Sequence, residues 1–250
     1  NSFADHAPKP EWLQSFFDLK EDFFTKHSLG PNMYDMFRRF LRDAELNEKN
    51  HFTKLAKLIS DMGWDSEASQ GIILLNLVLR NPQMAWYIIN FDLDRIYPRS
   101  TVEDMLMARD VKPKDAKSIV KAYKRIVATP LGTVLNFGHV TEKGELVRTK
   151  CVLSDPRVLL YGLFKFAEKC GDYKGFTLST LLNDTIDRDG ISPTRIFGLT
   201  REEAKPMLRG LSARYPKFID AAFTHDLEKI TLSADKSSAD VLTLFEGEEA

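Results

Sequence analysis

Five cations recur at helical spacing after Pro113: Lys114, Lys117, Lys121, Lys124 and Arg125. At 100° per residue they share one arc of about 100°, and Ala116, Ile119, Val120, Tyr123, Ile126 and Val127 fill the opposite arc. Such a helix buries one side and presents a row of positive charge on the other. Cations spaced in this way neutralise successive phosphates and release the counterions condensed on nucleic acid. Downstream, Thr133–Val140 and Leu146–Leu153 are rich in β-forming residues, with Thr141-Glu142-Lys143-Gly144 as the turn between them. Lys143, Arg148 and Lys150 on that hairpin extend the same footprint. The order from Ser100 to Leu153 is short helix, tight turn, basic helix, hairpin, which is how a winged helix-turn-helix places a recognition helix and a wing. Two other readings of the stripe stand beside this one: a solvated amphipathic face, and a docking surface for an acidic protein. Base specificity is not legible, because lysines favour phosphates and no Arg or Asn is clearly aimed at a groove edge.

No residue set identifies a reaction. The run Asn183-Asp184-Thr185-Ile186-Asp187-Arg188-Asp189-Gly190 resembles a calcium loop at first sight. Registering Gly190 on the turn glycine puts Thr185 at the first ligand position and Ile196 at the last, where carboxylates are required. The loop therefore reads as acidic but not as a metal site. An enzyme reading would need Asp184, Asp187 and Asp189 to line a pocket with a bound metal. His6, His27, His51, His139 and His225 show no paired zinc spacing, and H-E-x-x-H, C-x-x-C and phosphate-binding glycine motifs do not occur. His225-Asp226 beside Thr224 reads as part of a turn. No cofactor is expected.

The 250 residues carry a formal net charge of −1, so attraction to a polyanion must come from a local patch and not from the whole molecule. No apolar run approaches the ~18 residues of a membrane span, and the N-terminus is not a signal peptide. Cys151 and Cys170 lie in apolar contexts and read as reduced core thiols of a cytoplasmic protein. The chain starts on Asn1 and not on Met, which reads as a piece of a longer protein or a processed form.

The elements that must position the stripe follow from periodicity. Residues 1–98 read as a helical domain. Trp12, Phe16, Phe17, Phe23 and Phe24 line a helix over 11–26; Met33, Phe37, Phe40 and Leu41 line a second; a third spans about 52–62. Ser66 then opens a strongly apolar helix that stops before Asn81-Pro82. Residues 99–153 form a winged-helix-like unit, with a capping box at Ser100/Glu103 and Pro113 at a helix start. Residues 154–235 form a second such unit. It has a buried helix over 158–167, caps at Thr177 and Ser192, a capping box at Thr200/Glu203, a kink or late start at Pro206, and a hairpin over 218–223 and 229–232. Residues 236–250 read as an acidic, flexible tail. The predicted fold is mainly α, a helical domain followed by two winged-helix-like units with small β-hairpins.

Four blocks carry a resemblance: Leu29–Tyr34, Leu159–Glu168, Gly190–Leu199, and Leu211–Ile219 continuing to Phe223–Leu227. Together they resemble an uncharacterised helical module of bacterial proteins. It is fused behind, or encoded near, phosphoadenosine-phosphosulfate (PAPS) reductase-like ATP pyrophosphatases, some of them in DNA phosphorothioation and phage-defence loci. The pyrophosphatase's own S-G-G-x-D-S loop is absent from this chain. The resemblance implies a non-catalytic module that positions double-stranded DNA or docks a PAPS reductase-like domain or neighbouring defence protein. The alternative function is a protein–protein interaction scaffold without nucleic acid.

Overall fold

Among the described residues proline opens seven helices, at Pro10, Pro31, Pro82, Pro113, Pro130, Pro156 and Pro193. At a helix start the missing N–H has no intrahelical partner to lose, and the ring pre-sets φ. The computed structural model describes residues 3, 7–183, 190–224 and 228–246. The calcium-loop-like run from Asp184, including Asp187 and Asp189, and the His225-Asp226 pair lie outside them. The protein is mainly helical with small antiparallel sheets, and its contacts divide it into two units, 1–152 and 153–250.

The first unit contains α1 (Pro10–Leu19), α2 (Phe23–Lys26), α3 (Pro31–Asp43), a hairpin of β1 (Asn47–Glu48) and β2 (His51–Phe52), α4 (Lys54–Asp61), α5 (Glu67–Arg80) and α6 (Pro82–Asn90). It continues with β3 (Ile96–Tyr97), α7 (Arg99–Met107), α8 (Pro113–Ile126), α9 (Pro130–Thr133), β4 (Gly138–Val140) and β5 (Leu146–Arg148). The helix expected over 11–26 is interrupted at Lys20, whose φ of 50° introduces a 3₁₀ turn before α2. Phe16 is fully buried, with Phe17, Phe23, Phe24, Phe37 and Phe52 around it at centroid distances of 5.0–6.3 Å.

Pro98 does not separate two domains. Tyr87 on α6 lies 4.9 Å from Tyr123 on α8, Phe91 stacks on Tyr97 at 4.7 Å, and the Tyr87 hydroxyl donates to the Ile119 carbonyl at 2.8 Å. One aromatic core therefore crosses the expected boundary. The capping box at Ser100 does not form, because the helix starts two residues earlier, with Pro98 at the N-cap position. Glu103 instead receives Arg99 Nε at 2.6 Å. The strand expected from Thr133 starts only at Gly138, because residues 130–133 turn helically and tuck against the end of α8. A Cβ at Gly132 would lie 1.9 Å from the Val127 carbonyl oxygen. Three strands pair in the order β3-β5-β4, so the two-stranded ribbon read from sequence gains an edge strand from before α7.

The second unit contains α10 (Pro156–Lys169), β6 (Gly175–Thr177), α11 (Leu178–Leu182), α12 (Pro193–Phe197), α13 (Arg201–Arg214), β7 (Ile219–Phe223), β8 (Glu228–Leu232) and α14 (Ser238–Leu242). Its sheet repeats the first–third–second order, β6-β8-β7. The helix α10 is buried almost all round, the caps at Thr177 and Ser192 form, and the Thr200/Glu203 capping box forms with Pro206 inside a helix that already starts at Arg201. The acidic tail expected from residue 236 is instead folded through residue 246. Ser237 and Asp240 cap α14 reciprocally, Glu168 accepts from the Ser238 N–H and hydroxyl, and Val241 is fully buried. Phe245 lies under the Arg157 guanidinium at 4.6 Å. Val241 and Phe245 are one helical turn apart, and burying them outweighs the acidic composition that suggested fraying.

No disulfide joins Cys151 and Cys170. Burial pushes the Cys151 thiol up to about 12 from an ordinary 9.0. A raised acid favours the folded state below the unfolded value, so this contribution is complete below about pH 9 and lost as pH rises towards 12. Iodoacetamide at pH 8 is expected to leave Cys151 unmodified in the folded protein and to alkylate it in guanidinium. Alkylation of Cys151 at equal rates in both states would contradict its burial.

Candidate nucleic-acid interface

The stripe is positioned by what lies beneath it. Ala116, Ile119, Val120, Ala122, Tyr123 and Ile126 are buried on the inner face of α8, and the Tyr123 hydroxyl donates to the Val147 carbonyl on β5 at 2.8 Å. That bond ties the helix to the hairpin. The approach is close enough that a Cβ at Gly138 would meet Tyr123 Oη at 2.2 Å and the Val147 oxygen at 2.5 Å. On the outer face Lys114, Lys117 and Lys121 are exposed, and Lys124 and Arg125 are half-buried. Lys124 leans onto the β4–β5 turn, where a Cβ at Gly144 would lie 3.1 Å from its Nζ. Lys143 at the tip of that turn and Lys150 beyond β5 are exposed. The turn is closed by the Gly144 N–H on the Thr141 carbonyl at 2.8 Å and by the Thr141 hydroxyl on Glu145 at 3.0 Å. Among the described residues, no ion pair engages Lys114, Lys117, Lys124, Arg125 or Lys143. The nearest carboxylates in sequence are Asp115, Glu142 and Glu145.

Arg148 does not belong to this surface. It is 4 % exposed, and its Nη1 donates to the carbonyls of Ile88 at 3.0 Å and Phe91 at 3.1 Å. These are carbonyls at the C-terminal end of α6, where the helix leaves acceptors unsatisfied and its dipole favours a cation. Alternation along β5 could not reveal this, because the partner is a helix end sixty residues away in sequence.

The equivalent helix of the second unit differs. Arg201 pairs with Glu228, Lys205 lies 3.7 Å from the same carboxylate, and Lys205 and Arg209 sit over the Phe223 ring at 5.5 and 5.4 Å. The hairpin of its own unit engages Arg201, Lys205 and Arg209 of α13. A further basic group, Arg38, Arg39 and Arg42 on α3 with Lys49 on the β1–β2 turn, was not singled out from sequence. Its signal was present in the i, i+1, i+4 spacing opposite Phe37, Phe40 and Leu41.

Among the described residues, no group of three or more His, Cys, Asp or Glu is placed to hold a metal ion. Among the described residues, no single helix is long and apolar enough to cross a membrane. The pair α5 and α6 passes by length and composition only, and it is bent by 99°.

No family model matches the chain, and no curated protein matches it. Its fold is similar to a solved structure described as the magnesium ion-bound SspB crystal structure, with a TM-score of 0.68 over 98% of this chain and 88% of that one. The two are 16% identical, so the likeness extends to the fold.

Proposed function

We propose that this chain is a non-catalytic module that binds or positions double-stranded DNA, with the first unit as the reader. The observation that carries this reading is the outward row of α8, in which Lys114, Lys117, Lys124 and Arg125 have no carboxylate partner among the described residues, while Lys124 and Lys143 continue it onto the hairpin. In this proposal α6, β3, α7, α8, β4 and β5 form a winged helix. The element order and the β3-β5-β4 strand order support it, with α8 as recognition helix and residues 141–144 as wing. Lys114, Lys117, Lys121, Lys124, Arg125, Lys143 and Lys150 contact phosphates. Arg148 holds the scaffold beneath them. The second unit repeats the strand order, with Arg201, Lys205 and Arg209 of α13 engaged by its own hairpin. A cytoplasmic setting and association with a PAPS reductase-like or other DNA-modification protein complete the proposal.

The test is retention of a duplex at low salt by the full chain carrying K117E, K121E and K124E. These positions lie on the outer face, so the variant is expected to fold and to lose binding. Retention equal to that of the unaltered protein overturns the assignment.

The scaffold reading has one observation of its own. Ile89, Leu93 and Ile96 lie close in sequence and are 49%, 38% and 54% exposed. Large apolar side chains at this density suit a protein partner better than phosphate. On that reading I89D/I96D releases a protein partner and leaves DNA retention intact. Loss of DNA retention by I89D/I96D counts against it.

A further inference from the structure

The group on α3 and the β1–β2 hairpin lines a cleft of about 660 Å³, within the range of small-ligand sites. Arg38, Arg39, Arg42 and Lys49 face it against the single carboxylate of Asp35. Its geometry follows from the sequence. Burial of Phe37, Phe40 and Leu41 turns the three arginines outward within one arc of about 100°. Lys49 and Asn50, with φ of 51° and 64°, form the two-residue turn that carries Lys49 to the hairpin tip.

The cations are held in different ways. Arg42 donates through Nε and Nη2 to Asp43 at 3.1 and 3.0 Å. Asp43 is buried and also accepts from Asn81 Nδ2 at 2.7 Å, so this guanidinium is fixed from behind. Arg38 donates to Asn50 Oδ1 at 3.3 Å and reaches Asp35 only at 3.8 Å. Arg39 and Lys49 have no ion-pair partner among the described residues. The hairpin itself is anchored by Glu21, which accepts from the Phe52 N–H at 2.8 Å and meets His51 Nδ1 at 2.6 Å. Chiefly the first of these holds its carboxyl below the ordinary 4.5.

A second observation points to a ligand and not merely to a solvated basic face. Asn47 lines this cleft and the adjoining one, is 6 % exposed, and has a buried Oδ1 without a hydrogen-bond partner among the described residues. A buried amide oxygen left unmatched is unfavourable, and a donor on a ligand would satisfy it. The cleft therefore offers cations for an anion, and at its edge Asn47, whose Oδ1 is closed to solvent, becomes an acceptor for a ligand N–H or O–H once its side chain turns outward.

We infer that this cleft binds a phosphate ester whose sugar or base carries a donor, the chemistry of a nucleotide. Arg39, Arg42 and Lys49 hold the phosphate, and Asn47 accepts from the remainder. The ester is either a free nucleotide or a unit of a nucleic-acid strand. The site is separate from α8, so the inference does not rest on the proposed duplex contact.

Titration calorimetry on the full chain distinguishes these sources with AMP, inorganic phosphate, a 5′-phosphorylated trinucleotide and its unphosphorylated form. AMP is expected to bind more tightly than phosphate. R39E/K49E, both at exposed positions, is expected to weaken AMP binding by about 100-fold, as loss of two charge-assisted contacts implies. N47L is expected to bring AMP down to the affinity of phosphate. AMP bound without either trinucleotide assigns a free nucleotide, and a bound trinucleotide assigns a strand; both support the site. The K117E/K121E/K124E variant is expected to bind AMP normally, which separates this result from the duplex assay. Absence of binding by all four probes at millimolar concentration, or AMP binding unchanged in R39E/K49E, overturns the inference.

Discussion

Arg148→Ala is expected to destabilise the unit spanning residues 1–152 by about 3–5 kcal/mol, read in calorimetry as a melting temperature lower by roughly 10 °C. The effect is large because the guanidinium satisfies two carbonyls at the end of α6 in a place closed to water. Removing it orphans both acceptors and empties the volume of a long side chain. Each hydrogen bond to a charged group contributes about 1.5–3 kcal/mol, and an orphaned buried carbonyl adds its desolvation. Arg148→Lys keeps the charge, but its side chain is shorter and its compact ammonium is more strongly hydrated and costlier to bury, so an intermediate loss is expected. Below its melting temperature the alanine variant is expected to retain duplex DNA as the unaltered protein does. Normal melting combined with lost DNA binding would place Arg148 on the outer surface after all.

The second large effect concerns salt. Each phosphate neutralised on B-form DNA adds about 0.9 to the steepness of log affinity against log salt. If Lys117, Lys121 and Lys124 each neutralise one phosphate, K117A/K121A/K124A makes the slope shallower by about 2.7. Between 50 and 200 mM salt the unaltered protein then loses about 40-fold more affinity than the variant. The control lies in the second unit. Lys205 and Arg209 are engaged by Glu228 and the Phe223 ring, so K205A/R209A is expected to leave the slope unchanged. A slope altered by the control and not by the α8 variant would move the reader to α13.

Several elements were legible because their causes are local. Pro113 at a helix start, the alternation of apolar and cationic arcs on α8, the turn at Thr141–Gly144 and the caps at Thr177, Ser192 and Thr200 depend on residues within a turn or two of each other. Nearest-neighbour sterics and hydrogen bonds decide them before anything packs. Local signals yield where packing intervenes. Ser100 is a good cap residue, yet α7 starts at Arg99, directly after the β3 strand that pairs with β5. Val241 and Phe245 are a weak apolar signal in an acidic tail, and only α10 and Arg157 give them a surface to cover.

By itself, then, the order of amino acids determined where helices such as α8, α11, α12 and α13 begin, which face of α8 is charged and where its hairpin turns. Tertiary structure decided which charges stay available. Arg148 is drawn inside by carbonyls about sixty residues upstream, Arg201, Lys205 and Arg209 of α13 are taken up by their own hairpin, and Arg39, Arg42 and Lys49 meet because a hairpin folds over α3. A charge's local surroundings set its periodicity, whereas its partner is chosen by long-range packing, and no window of sequence contains both.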